Sequence, residues 1–169
     1  MILTIVKYPD PILSRPGEPI TEFDAELRKL VADMFETTYA NQGIGLAAPQ
    51  VGVSKRLTVI DVSQGKKPED KLVLINPEII SNEGKLYEEE GCLSFPEITE
   101  KVVRAAKVRV RAQNEHAKWF EMDGDDLLAR CFQHEIDHVD GVLFLFRMSA
   151  LKRSLNLRKI RKMQANGEW

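Results

Sequence analysis

Apolar positions recur at helical spacing in some stretches and alternate with polar ones in others, and this difference divides the chain into elements. After Asp24, a residue suited to an N-cap, Leu27, Leu30, Val31, Met34, Phe35 and the half-polar Thr38 fall on one helical face. Residues 41–50 (NQGIGLAAPQ) are too rich in glycine and small side chains for an ordinary core element, so they read as a loop. Strand patterns follow at 57–61, 72–75, 78–80, 102–111 and 119–122, with a hairpin turn at 114–117. A second helix is predicted from Asp125 to about Asp140, with Gly141 as its C-terminal cap, and a third from Ser149 to about Gln164. The opening residues carry Pro9, Pro11, Pro16 and Pro19, which disfavour regular structure and predict a segment wrapped over the surface.

A length of 169 residues with 43% hydrophobic content suits one domain with a single core, and no repeat or linker divides it. No run approaches the roughly 20 apolar residues of a membrane span, and the first residues lack a secretory pattern, so the expected location is cytoplasmic. In that setting the two cysteines, Cys92 and Cys131, are expected to be reduced. The net charge of -2 conceals a division, because residues 151–169 carry six basic side chains and one acidic one. The rest holds 18 basic against 25 acidic residues, about -7, while the tail is about +5. Such a tail predicts a partner of its own, the alternative being a solvated basic helix.

The chemistry lies in the second helix. Residues 134–138 spell HEIDH, in which His134 and His138 project from one helical face and can hold one metal ion. Cys131 and Leu127 continue that face, which is therefore expected to point inward. Two core histidines with ordinary hydrogen bonds are the plainer alternative. The extended pattern HExxHxxGxxH fails, because Phe144 stands where the third histidine belongs. The remaining strong donor is Cys92, within EGCLS at 90–94, which lies between predicted strands. One cysteine with two histidines is a known catalytic ligand set that leaves a fourth position to water.

Three motifs in order, GIGLAAPQ at 43–50, EGCLS at 90–94 and HEIDH at 134–138, resemble the peptide deformylase family, and the resemblance covers essentially the whole chain. It implies an α+β fold, with small antiparallel sheets around a central helix carrying HEIDH and a C-terminal helix. Residues 1–150 would form the catalytic part and 151–169 a basic helix and tail of the same domain. It also implies removal of the formyl group from formylmethionyl peptides of new polypeptides, with one divalent metal, Fe(II) in the native enzyme and Zn, Ni or Co able to substitute. Cys92, His134 and His138 would bind the metal. Glu135 would act as general acid and base, and the Gln50 side chain with the Leu93 backbone N–H would stabilise the oxyanion. Ile44, Gly45 and Gly91 would pair with the peptide backbone, and Leu127 and Cys131 would line the methionine pocket with Ile44 and the His134 ring. Glu90 and Arg104 match positions that pair behind the cysteine.

Departures from familiar members are Glu88 and Arg130, where relatives have aliphatic residues and where the two can pair across the pocket rim, and Pro49, which stiffens the first motif. Asp137 is expected to support the site without an identifiable partner; Tyr87, Trp119 and His116 read as packing or turn residues. In the tail, Leu151 and Leu155 share a face that can dock on the body, with Leu157 and Ile160 offset. Lys152, Arg153, Arg158, Lys159, Arg161 and Lys162 would then meet ribosomal RNA, as the resemblance implies for this helix. No DNA or membrane partner is expected. A metallopeptidase that cuts internal bonds and a module with a closed structural metal site remain the alternatives.

Overall fold

The computed structural model describes residues 1–169. Seven strands, β1 (Gly45–Ala47), β2 (Leu57–Ile60), β3 (Leu72–Glu83), β4 (Leu86–Cys92), β5 (Phe95–Arg104), β6 (Lys107–Gln113) and β7 (Trp119–Asp125), accompany three helices. These helices are α1 (Ala25–Ala40), α2 (Asp126–Val139) and α3 (Ala150–Ala165). One antiparallel sheet has the order β1-β2-β3-β6-β7, and β4 and β5 form a separate antiparallel pair. The architecture is α+β, and no helix is long and apolar enough to cross a membrane.

Strand alternation explains how the large sheet separates two helices. Leu57 and Val59 on β2 join Leu27, Val31, Met34 and Phe35 of α1 in one buried cluster. Ile60 on the same strand joins Ala129, Cys131, Phe132 and Ile136 of α2 in another. A third cluster links β5 to α3 through Phe95, Ile98, Val102 and Ile160. The helix starts follow their caps: Asp24 Oδ1 accepts from Leu27 N at 2.9 Å, and Ser149 Oγ accepts from Lys152 N at 3.2 Å. Asp125 does stand at the N-cap of α2, but its side chain makes no capping bond. Gly141 ends α2 with φ +77°, and a Cβ there would lie 2.8 Å from the Arg15 carbonyl carbon. Glycine therefore serves both the turn and the close passage of the opening segment.

Several sequence readings need correction. Residues 41–50 contain β1 and a 3-10 turn at Ala48–Val51, because the small residues pair with β2 before the turn begins. The stretches at 72–75 and 78–80 are one strand interrupted at Asn76, whose φ is +52° and whose side chain bonds both Ile20 N and Ile20 O at 2.9 Å. The predicted strand at 102–111 is two strands, since the chain leaves one sheet for the other at Ala105 and Ala106. Strand β4 was missed because its centre is Tyr87, Glu88, Glu89 and Glu90, residues that carry little strand signal. Cys92 is thus the last residue of a strand. On α3 the docking face carries Asn156, Ile160 and Met163, while Leu151 and Leu155 are 70% and 52% exposed. The proline-rich opening does cross the surface, yet Leu13 within it is fully buried.

The fully buried Phe132 ring, on the face of α2 that meets the sheet, gives a direct test of this packing. Phe132→Ala is expected to lower unfolding free energy by about 3–5 kcal/mol, the usual cost of deleting a buried ring. The measurement is the midpoint of urea unfolding at an unchanged slope; a midpoint equal to the parent's would contradict the packing described.

Candidate metal centre

Helix α2 presents His134 and His138 one turn apart, with their Nε2 atoms 3.2 Å from each other. The end of β4 brings Cys92 Sγ to 3.3 Å from His138 Nε2, and the three donors lie within 4.8 Å of one another. A tetrahedral site built from ordinary metal–nitrogen and metal–sulfur bonds has donor-to-donor edges of about 3.3–3.7 Å. The separations here fit a first-row divalent ion, and no fourth side chain of the ligating kinds joins the group. The surroundings also favour positive charge. Burial lowers the His134 imidazole, but Cys92 and Glu90 reverse that effect and bring it up to about 10. His138, fully enclosed beside His134, is pushed well below its ordinary value by burial and by that neighbour. The pair thus favours one proton and resists a second.

Behind the histidines lies a chain of ion pairs. His134 Nδ1 sits 2.9 Å from Glu90 Oε1, which sets Nδ1 as the protonated nitrogen and leaves Nε2 free to ligate. Arg104 grips Glu90 with Nε and Nη2 at 2.8 and 3.0 Å, and Arg130 Nη1 donates to Glu90 Oε2. Burial alone raises the Glu90 carboxyl, but His134 and Arg104 outweigh it and hold it far below the ordinary carboxylate range. Arg104 also donates to Asp137 Oδ2 at 2.6 Å, and Arg147 clamps Asp137 with bonds of 3.0 and 2.9 Å. The expected Glu90–Arg104 pair is therefore present and buried. Asp137 has the partners that sequence alone left unnamed.

The pairing of Glu88 with Arg130 across a pocket rim is corrected. Glu88 is exposed and has no ion-pair partner, whereas Arg130 is buried on Glu90 and also donates to Val102 O at 3.1 Å. Glu88 and Glu90 share one face of β4, but only Glu90 is met by α2, where Arg130 and His134 reach it. Leu127 likewise does not point inward; it is 52% exposed at the mouth of the cleft, while Cys131 is buried. Burial pushes the Cys131 thiol up to about 12, which keeps it a neutral apolar lining group.

Cys92 and His134 open on a cleft of about 640 Å³ whose lining includes Gln50, Leu93 and Glu135. Ile44, Gly45, Gly91, Leu127 and Cys131 line it too, so all five expected substrate-side residues come together. Strand β1 is an outer strand of its sheet, and a Cβ on Gly45 would lie 3.1 Å from Glu135 Oε1. Glu135 is buried, and desolvation pushes its carboxyl up to about 7, a value suited to both taking and giving a proton. Gln50 Oε1 accepts from Ala47 N at 2.9 Å, which turns the amide nitrogen toward Cys92 Sγ and Ser94 Oγ at 3.5 and 3.2 Å. The Leu93 backbone N–H donates to no acceptor within the chain.

Residues that the motifs did not single out are Arg147, Ser94 and Thr58. Arg147 stands in the 3-10 turn Phe144–Arg147, Ser94 meets Gln50, and Thr58 meets Glu135. Only Thr58 left a usable trace, as a hydroxyl inside an otherwise apolar strand, which must find a partner when buried.

Comparison with known proteins agrees with this geometry. The polypeptide deformylase family profile matches residues 2–154. A peptide deformylase of Acidobacterium capsulatum is 70% identical over 169 residues, covering 100% of this chain and 99% of the relative. One from Thermodesulfovibrio yellowstonii is 48% identical over 95% of this chain and 97% of its own length. Among solved structures, a Legionella pneumophila peptide deformylase has a TM-score of 0.90 and 47% identity, covering 98% of each chain. A Thermus thermophilus peptide deformylase has a TM-score of 0.89 at 38% identity, covering 99% of this chain and 98% of that one. With a profile spanning most of the sequence and a close relative matched along its full length, this chain belongs to the polypeptide deformylase family.

Proposed function

We propose that this chain carries out its family's reaction, removal of the N-terminal formyl group from new polypeptides with release of formate, through Cys92, His134, His138, Glu135, Gln50 and Leu93. The observation that carries the assignment is the convergence of Cys92, His134 and His138 beside a buried glutamate, with Cys92, His134 and Glu135 lining one cleft. A divalent cation held by Cys92, His134 and His138 supplies Lewis acidity and acidifies the attacking water. The Cys/His/His set suits Fe(II), our choice for the native metal, and accommodates Zn, Ni or Co.

Glu135 takes the proton from the attacking water and returns it to the departing amine, and a carboxyl at about 7 suits both steps. The Gln50 amide and the Leu93 N–H stabilise charge on the formyl oxygen, a role supported by the fixed direction of the amide and the unclaimed N–H. Ile44, Gly45 and Gly91 pair with the extended peptide, whose methionine side chain enters the lining near Leu127 and Cys131. Glu90 and Arg104 hold the His134 ring in its ligating orientation. Two rival readings lose ground here. A third histidine is replaced by Phe144, which is buried in the core, and a closed structural site would need a fourth protein ligand.

The assignment places the enzyme in the cytoplasm, with residues 1–150 carrying catalysis and 151–169 forming a basic element of the same domain, anchored by the buried Ile160 and Met163. The ribosome is the proposed partner of α3. Its outward face presents Leu151, Leu155, Arg158, Arg161 and Lys162, while Lys159 donates to Glu97 O and Lys152 pairs with Glu100 on the body. A cationic face of this kind binds phosphates with strong salt dependence.

Cys92→Ala is expected to lose stoichiometric metal on gel filtration, measured by atomic absorption; full metal and full turnover would contradict the ligand set. Glu135→Gln should keep its metal while kcat on formyl-Met-Ala-Ser falls by at least about 10²-fold, as for a positioned acid-base group. Turnover within a few-fold of the parent would remove Glu135 from the reaction. For the tail, truncation would open the core at Ile160, so the cleaner test replaces Arg158, Arg161 and Lys162 together by Gln. That variant should co-sediment less with bacterial ribosomes at low salt and retain tripeptide turnover; equal co-sedimentation would return α3 to the class of solvated helices.

A further inference from the structure

Strand β2 reads Leu57, Thr58, Val59, Ile60, and all four residues are fully buried. Alternation sends Leu57 and Val59 toward α1, leaving Thr58 and Ile60 on the side of α2. Thr58 is the one polar residue among them. Its Oγ1 lies 3.3 Å from Glu135 Oε2 and 2.9 Å from Leu46 O, and no other hydrogen bond in the chain reaches the Glu135 carboxylate. Beside the other carboxylate oxygen, Gly45 leaves no room for a side chain: a Cβ would stand 3.1 Å from both Oε1 and Cγ. Glu135 is therefore held between a bare backbone and a single hydroxyl. Its Oε1 has no partner within the chain and opens on the cleft.

We propose that Thr58 is a positioning residue for Glu135, holding Oε2 so that Oε1 is the oxygen presented to the attacking water. The proposal rests on the acid-base role assigned to Glu135 above. The physical argument turns on what a hydroxyl offers that an apolar side chain of the same shape does not. Threonine has one hydrogen to give and two lone pairs to receive. While Glu135 is ionised, the hydroxyl donates to Oε2. Once Oε1 has taken the proton from water, Oε2 remains an acceptor, and the threonine hydrogen can stay on it or turn to Leu46 O, 2.9 Å away. Both states of the base are thus satisfied in place, with no movement of β2 or α2. A valine would leave Oε2 facing hydrocarbon in both states, and the carboxylate would swing toward the cleft to find water.

A purely structural role, in which Thr58 only satisfies the Leu46 carbonyl, makes a different prediction. The test uses metal-loaded full-length enzyme and the variants Thr58→Val, Thr58→Ser, Glu135→Gln and Thr58→Val with Glu135→Gln. Readouts are kcat and KM on formyl-Met-Ala-Ser, metal content and thermal midpoint. Thr58→Val should lower kcat about tenfold, as for losing one hydrogen bond to a charged group, with KM within about twofold and metal content unchanged. Thr58→Ser, which keeps the hydroxyl, should recover most of that loss. In the Glu135→Gln background, Thr58→Val should have no further effect on kcat, because a residue acting through Glu135 has nothing left to position. Should Thr58→Val fail to fold, Thr58→Ala takes its place in the same cycle.

Parental kcat in Thr58→Val, or the same fractional loss in both backgrounds, would overturn the proposal. So would a loss in Thr58→Ser equal to that in Thr58→Val. The acid-base reading fails separately: it falls if Glu135→Gln alone turns over at the parental rate, whatever Thr58 does.

Discussion

The rest of the structure depends on the buried carboxylate of Glu90. An ionised group removed from water must be compensated on every side, and Glu90 is met by His134, by two nitrogens of Arg104 and by Arg130. These partners come from three elements: Glu90 from β4, Arg104 from β5, and His134 with Arg130 from α2. The ion cluster can close only when the β4–β5 pair docks on α2. That docking also delivers the third metal donor, because Cys92 ends the same strand two residues after Glu90. Replacing such a cluster with hydrocarbon is often neutral for stability, while removing one member strands a charge. Its value here lies in specifying one arrangement of Cys92, His134 and His138.

The cluster also carries surplus charge. Arg104, Arg130 and Arg147 face Glu90 and Asp137, three guanidiniums against two carboxylates. The excess positive charge lies beside a centre whose cysteine must be a thiolate to ligate and whose Glu135 is the proposed base. None of the three arginines bonds to Glu135 directly. Two glutamates on one site are consequently held in opposite conditions: cations keep Glu90 ionised, while desolvation brings Glu135 up to about 7. The first is a fixed brace and the second is suited to the proton-carrying role proposed for it, a division made by surroundings rather than by residue type.

Helices α1 and α2 were legible because each repeats an apolar face over several turns, and all three helices begin at a side chain suited to capping. The metal donors were legible because the spacing in HEIDH has few uses other than a shared ligand, and the cleft residues because three ordered motifs resemble one family. Strand β4 was not legible, since three consecutive glutamates give no alternating hydrophobic signal; their inward and outward directions exist only once β4 pairs with β5. Arg130 was misread because its partner depends on which glutamate of β4 meets α2 once the two elements dock. The docking face of α3 was misassigned because Leu151 and Leu155 are the more hydrophobic side chains. Packing nonetheless buried Asn156, Ile160 and Met163, with Ile160 joining the cluster that β5 contributes to.

The site is braced from a further direction by parts of the chain that carry none of its chemistry. Val6 N donates to Gln50 O at 2.7 Å and Tyr8 N to Ser94 O at 3.0 Å, so the opening segment fixes both the oxyanion residue and the turn after Cys92. Tyr8 stacks on Phe95 with centroids 5.0 Å apart, and Phe95 meets Phe144, whose ring lies 5.8 Å from that of His134. The Trp169 indole donates to Tyr8 O, and its ring stands edge-on to Phe95. Ile160 of α3 belongs to this same cluster. An element read from its charge as a partner-binding tail is therefore also part of the wall behind the metal ligands. Its outward face is free to change without consequence for the wall, because Arg158, Arg161 and Lys162 point away from the residues that Ile160 and Met163 hold in place.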